Sequence, residues 1–179
     1  MHVCCGPCAT YPFRALEEEG HDVDGFFYNP SVQPYREFLR RKEAAETLAE
    51  KTGRRMIVPP RYDLEEFFRL VAFREKSRCR YCYWLRLSRT ASAARKGKYD
   101  AFTTTLLISR QQKHDLARRV GEEAAAEAGV PFLYRDFREG WKEHWRLTEE
   151  LGLYKQDYCG CVYSEYERFR NFPPSPRQT

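Results

Sequence analysis

His2-Val3-Cys4-Cys5-Gly6-Pro7-Cys8 is the stretch on which the reading of this chain turns. Val3 to Cys5 reads as the end of a short strand, and Gly6-Pro7 turns it into a helix that runs through Phe13 and Leu16 and stops at Gly20. The same alternation continues downstream. Residues 24–28 form an apolar strand closed by Asn29-Pro30, and a helix over about 35–51 ends at Gly53. Met56-Ile57-Val58 is a third strand, cut by Pro59-Pro60. Leu64, Phe67, Phe68 and Val71 keep helical spacing and lead, through a loop at Cys79, into a basic helix containing Trp84, Leu85 and Ala91. Residues 101–108 are apolar and β-branched enough for a buried strand, 114–128 read as a helix ended by Gly129, 131–134 as a fifth strand, and 141–151 as a last helix. Alternating strands and helices predict an α/β fold, a Rossmann-like parallel sheet with helices on both faces. Residues 1–172 read as one domain of a 179-residue chain, and the Pro-rich 173–179 as a flexible C-terminal tail.

In such sheets ligands bind beyond the carboxyl ends of the strands. Cys4-Cys5, Ser109 and Asp136 stand just past strands one, four and five, so the chemistry-bearing residues fall on one edge. All seven cysteines belong to three short groups: Cys4, Cys5 and Cys8; Cys79 and Cys82; Cys159 and Cys161. Core cysteines would be scattered along apolar faces, so the grouping points to a shared site. Thiols gathered from three segments suit an iron–sulfur cluster or zinc. The C-x-x-C spacing of Cys79 and Cys82 folds round one metal or cluster iron. Cys4 with Cys5, or Cys5 with Cys8, could share a centre, and spacing leaves that pairing open. A disulfide across Cys159-Gly160-Cys161 would be strained and easily reduced, which suits a redox or second-metal role. Seven thiols exceed what one tetrahedral zinc needs. His2 reads as a strand histidine, His114 as a helix-start residue and His144 as a surface one. Asp136 and Asp157 stand at site edges, where either could protonate a leaving oxygen or bind a metal, although turn and cap aspartates look the same.

The net charge of +5 is unevenly spread. Arg74, Lys76, Arg78, Arg80, Arg86, Arg89, Arg95, Lys96 and Lys98 face the single acid Glu75 in their stretch. With Tyr81, Tyr83 and Trp84 interleaved, the block reads as a footprint for RNA phosphates and bases, although a solvated helix face would show the same run. No apolar run reaches the ~18 residues of a membrane span, and no signal-type segment precedes the first motif, so a cytoplasmic protein is expected. Disulfide scaffolds are rare there, which favours metal or redox work for the thiols.

These motifs, together with Tyr28-Asn29-Pro30, Arg78-Cys79-Arg80-Tyr81-Cys82, the Thr104 to Ser109 run, Tyr134-Arg135-Asp136-Phe137-Arg138 and Gln156-Asp157-Tyr158-Cys159-Gly160-Cys161, resemble the QueH family of epoxyqueuosine reductases from residue 2 to about 165. The resemblance implies a fold similar to the adenine nucleotide alpha hydrolase type. It implies reductive removal of the epoxide oxygen from epoxyqueuosine at the tRNA wobble position, with the anticodon stem-loop as partner and an unidentified electron donor. It also implies a [4Fe-4S] cluster on Cys4, Cys5, Cys79 and Cys82, a redox-active pair Cys159 and Cys161 able to form a disulfide, and a second iron. Cys8, Asp136, Cys159 and Cys161 are candidates for that second iron, and Asp136 for the proton donor. Two features depart from the family: the first strand lacks an apolar lead-in, and Arg110 follows Ser109 where proline is usual. The alternatives are an ATP-dependent tRNA sulfur transferase, which would need a Ser-Gly-Gly-x-Asp-Ser type loop after strand one, and a zinc-stabilised RNA-binding module.

Overall fold

The computed structural model describes residues 1–171; residues 172–179, and with them the expected tail, lie outside the described residues. Two short strands, β1 (Gly25–Phe26) and β2 (Met56–Ile57), pair in parallel with Gly25 opposite Met56. Further parallel bridges join His2 to Phe26 and to Thr104, and Phe102 to Phe132. All five expected strand segments therefore lie side by side and parallel, in the order 56–57, 25–26, 2, 102–104, 132.

Around this strip stand α1 (Gly6–Glu18), α2 (Tyr35–Thr52), α3 (Leu64–Val71), α4 (Arg78–Lys96), α5 (His114–Ala128), α6 (Trp141–Glu150) and α7 (Val162–Phe169). The extended backbone sorts side chains alternately to two cores. Phe27 packs with Val3, Phe13, Phe38 and Leu48, whereas Tyr28 belongs with Cys5, Leu85 and Leu106. Helix α2 covers the first core, α3, α4 and α5 the second, and α1 feeds both. Each fully buried Leu or Phe here contributes on the order of 2 kcal/mol, which outweighs the weak pairing of such short strands.

Three sequence expectations change. The strand expected over 101–108 stops at Thr104, because its side-chain oxygen accepts from the Leu106 amide at 3.1 Å and folds Thr105–Ile108 into a 3₁₀ turn. Cys79 is not in a loop; it sits in the first turn of α4, which continues directly from the 3₁₀ turn Glu75–Ser77. Helix α7 follows the last cysteine pair and was not expected.

Candidate functional site

The first thiol group is shaped by the start of α1. Cys5 is extended (φ −168°, ψ 163°), and its Sγ caps the helix by accepting from the Cys8 amide at 3.4 Å. That cap carries Cys8 back over Cys5. The Sγ atoms of Cys4, Cys5 and Cys8 all lie within 4.8 Å of one another, with Cys4 and Cys5 at 3.8 Å. The 3₁₀ turn after residue 104 seals the group from the neighbouring segment: the Cys4 amide donates to Thr105 Oγ1 at 3.0 Å, and that hydroxyl donates to Cys4 Sγ at 3.2 Å.

Hydrogen bonds from the Cys5 and Cys8 thiols, joined by the Thr105 hydroxyl, hold the Cys4 thiol well below its usual range. Burial pushes Cys5 up, and the neighbouring Cys4 and Cys5 sulfurs push Cys8 up. Of the three thiols, Cys4 is therefore the one most readily deprotonated. Three soft thiol donors at this separation could hold a metal ion.

The second group lies on α4. Cys82 is buried, and its Sγ accepts from Arg86 Nη2 at 3.0 Å. Arg86 is itself buried, and among the described residues no carboxylate pairs with it. Cys79 is half-buried one turn earlier, its thiol raised chiefly by burial.

The third group is held from α2. Buried Arg41 is paired with Glu37 at 2.7 Å and donates to the carbonyls of Cys159 (2.8 Å) and Tyr158 (3.0 Å). Gly160 separates the two cysteines at φ +136°, where a Cβ would sit 3.0 Å from Val32 Cγ2 and 3.1 Å from Arg41 Nη1. No other residue fits that bend. Gln112 donates to Cys159 Sγ at 3.1 Å, and Gln156 to Cys8 Sγ at 3.5 Å. Cys159 is the exposed one of the seven cysteines, and the protein around it, with Cys82 adding, pushes its thiol up.

The three groups meet. Cys4, Cys8 and Cys159 line one cavity of about 540 Å³ together with Arg41 and Arg86, while Cys5, Cys79, Cys82 and Cys161 pack into the same core behind it. Among the described residues, the thiols close enough together to hold one metal ion are those of Cys4, Cys5 and Cys8.

The histidines and acids divide differently from their sequence reading. His2 is buried, bonded to Thr104 Oγ1 (2.9 Å) and to the Tyr28 carbonyl (3.3 Å), and burial with Arg86 nearby lowers it to about 3. His114 opens α5, as expected. His144 is not a surface residue: it is 1% exposed, and its Nδ1–H donates to the Pro7 carbonyl at 2.7 Å, because α6 packs on α1. Asp136 is not among the cavity-lining residues, and Arg138 at 2.6 Å holds its carboxyl down to about 2. It therefore carries no proton to give near neutral pH. Asp157 does line the cavity.

Part of the basic block is engaged within the protein. Arg78, Arg80 and Arg89 are paired with Glu167, Glu123 and Glu66, Arg95 is bonded to the Ala128 carbonyl, and Arg86 is buried at the thiols. The acids come from other elements, out of sight of a local charge run. Sequence reading missed Arg41 and Gln112, which no local pattern marks, and gave no role to Gln156, which opens the last cysteine motif. It also missed Trp141 and Trp145, whose i, i+4 spacing on an expected helix was the available signal. Among the described residues no helix is long and apolar enough to cross a membrane.

Comparison with known proteins matches residues 1–167 to a family model described as epoxyqueuosine reductase QueH. Curated relatives carry the same name. One from Dehalococcoides mccartyi is 41% identical over 98% of this chain and 96% of its own. One from Thermotoga maritima is 35% identical over 94% of this chain and 90% of its own. Another, from Histophilus somni, is 32% identical over 92% of this chain and 70% of its own.

Proposed function

The chain belongs to the QueH family of epoxyqueuosine reductases, and from that premise we propose that it removes the epoxide oxygen from epoxyqueuosine at the wobble position of tRNA, giving queuosine. The observation that carries the reading is that Cys4, Cys8 and Cys159, from two distant segments, line one cavity, with Cys82 of a third joined to it through the lining residue Arg86. The order of the parallel segments supports a Rossmann-like sheet of the adenine nucleotide alpha hydrolase type. The cavity lies where the segment at residue 2 meets that at 104, the point at which strand order reverses.

The residues fit a [4Fe-4S] cluster with a neighbouring iron. Their donors are soft, Cys4 is held acidic, and buried Arg86 has no carboxylate among the described residues to balance it. Cys4, Cys5, Cys79 and Cys82 would hold the cluster, and Cys8, Cys159 and Cys161 are at hand for the second iron. Bound there, such a group supplies electrons and Lewis-acid polarisation of a C–O bond.

The chain's own groups do the rest. Epoxide removal consumes two electrons and two protons and releases the oxygen as water. Oxidation of the thiols of Cys159 and Cys161 to a disulfide releases the same number of each, and an external electron donor then restores the pair. Gly160 fixes the bend between them, and Gln112 and Gln156 orient the sulfurs at the cavity wall. Asp157, rather than Asp136, is the aspartate that lines the cavity. A cytoplasmic setting, where tRNA is modified, accords with the same reading.

The test is direct. Anaerobically purified protein, given a reductant and an anticodon stem-loop bearing epoxyqueuosine, should release queuosine on nucleoside digestion. Protein that contains zinc and no iron, and leaves the epoxide intact, would overturn the proposal.

A further inference from the structure

The cavity has a wall that the thiol chemistry does not use. Trp141 and Trp145 both line it, one turn apart on α6, with ring centroids 5.7 Å apart and planes at 88°. Their orientation is fixed from behind. His144, between them in sequence, is buried and donates to the Pro7 carbonyl at 2.7 Å, inside the turn that carries Cys5 and Cys8. Its own carbonyl accepts from Thr148 Oγ1 at 2.7 Å. The start of the helix also lies hard against α1, because a Cβ on Gly140 would lie 2.2 Å from the Tyr11 ring. With α6 locked at both points, the indoles face the cavity and remain only partly covered. Arg110 stands beside Trp141, its guanidinium carbon 5.7 Å from the ring centroid. Among the described residues no acid pairs with it. Two perpendicular indoles on a cavity wall, one of them against a cation, match a flat, electron-rich heterocycle on a phosphate-bearing strand.

We propose that Trp141 is the stacking surface for the base that leaves the RNA loop, with Trp145 as an edge-on wall and Arg110 as the cation beside Trp141. This rests on the RNA reading of the same cavity. It makes Trp141 a positioning residue that holds the base over the sulfurs. Stacking one base on an aromatic ring is worth ~1–3 kcal/mol, or about 5- to 150-fold in affinity.

The experiment compares two anticodon stem-loops, one with queuosine and one with an abasic site at the wobble position, bound to metal-loaded protein. Wild type should prefer the queuosine RNA by at least about fivefold, with quenching of indole fluorescence, since two of the three tryptophans line the cavity. Trp141→Ala should lose that preference and the quenching while binding the abasic RNA as wild type does. Trp141→Phe, which keeps a ring, should retain most of the preference, and Trp141→Leu, which keeps bulk without a ring, should not. Iron content equal to wild type checks folding. A preference unchanged in Trp141→Leu, or absent from wild type, overturns the inference. If wild type deoxygenates the epoxyqueuosine stem-loop, only the inference falls; if it neither binds nor reduces that RNA, the proposed function falls with it.

Discussion

Two helices in this molecule begin with cysteines three residues apart, and they use them differently. At α1, Cys5 lies outside the helix, extended, and its sulfur caps the first turn, so Cys5 and Cys8 face each other with Cys4 against both. At α4, Cys79 and Cys82 are inside a helix already started by a 3₁₀ turn, with no side-chain cap, and they stand one above the other on its surface. Each group has a buried arginine. The one serving α1 and the Cys159 loop, Arg41, is balanced by Glu37; the one on Cys82, Arg86, meets the Cys82 sulfur and carbonyl and the Tyr83 ring but, among the described residues, no carboxylate. Spacing therefore sets which thiols can share a centre, and backbone conformation at the helix start sets how closely they do.

The sharpest break of this comparison is metal uptake. If both helix starts hold one cluster, Cys5→Ser and Cys82→Ser should each lower bound iron by more than about tenfold and bleach the visible absorbance, since a cluster is held by all its thiolates. If α1 alone binds, Cys82→Ser will keep its iron, and elemental analysis of anaerobic protein decides. Stability separates the arginines next. Glu37→Gln leaves Arg41 buried and unbalanced, and should cost about 3 kcal/mol in urea unfolding. Arg86→Met removes a cation that no acid offsets, and should change the stability of metal-free protein by less than about 1 kcal/mol. Equal losses from the two would show that Arg86 is balanced by a Cys82 thiolate before any metal arrives.

The sequence carried the order of elements well, because apolar periodicity and turn residues are local. The segments at 2, 26, 57, 102–104 and 132 all appear as parallel pairs. The thiol positions were legible for the same reason, being grouped in the chain. What escaped depended on distant partners. His144 looked polar and exposed until Pro7 accepted from it, and Arg80 looked free until Glu123 of α5 met it. The strand at 101–108 was shortened by a single hydroxyl, that of Thr104, against the β propensity of Thr105 and Ile108. Asp136 was placed at the right edge of the sheet but turned to Arg138, a neighbour two residues away whose reach the spacing alone did not reveal.

A smaller effect tests the cap at α1 itself. Cys5→Ser preserves an acceptor for the Cys8 amide, whereas Cys5→Ala removes it, so metal-free Cys5→Ala should be less stable than Cys5→Ser by about 1 kcal/mol. Equal unfolding midpoints would mean that packing, and not the cap, folds Cys8 back.

The smallest expected effect lies at α4. Arg80 stands between the two cysteines of that helix start, in the run that looks most like an RNA footprint, yet its guanidinium meets both Glu123 oxygens, at 3.1 and 2.9 Å. A charge already neutralised by the protein releases few counterions on binding RNA. Arg80→Ala should therefore leave both the affinity for an anticodon stem-loop and its dependence on salt within about twofold of wild type. Arg110→Ala, beside the cavity-lining Trp141, should flatten the salt dependence by about one charge. If Arg80 rather than Arg110 changes the salt slope, the RNA crosses the start of α4, and the two helix starts share the substrate as well as the metal.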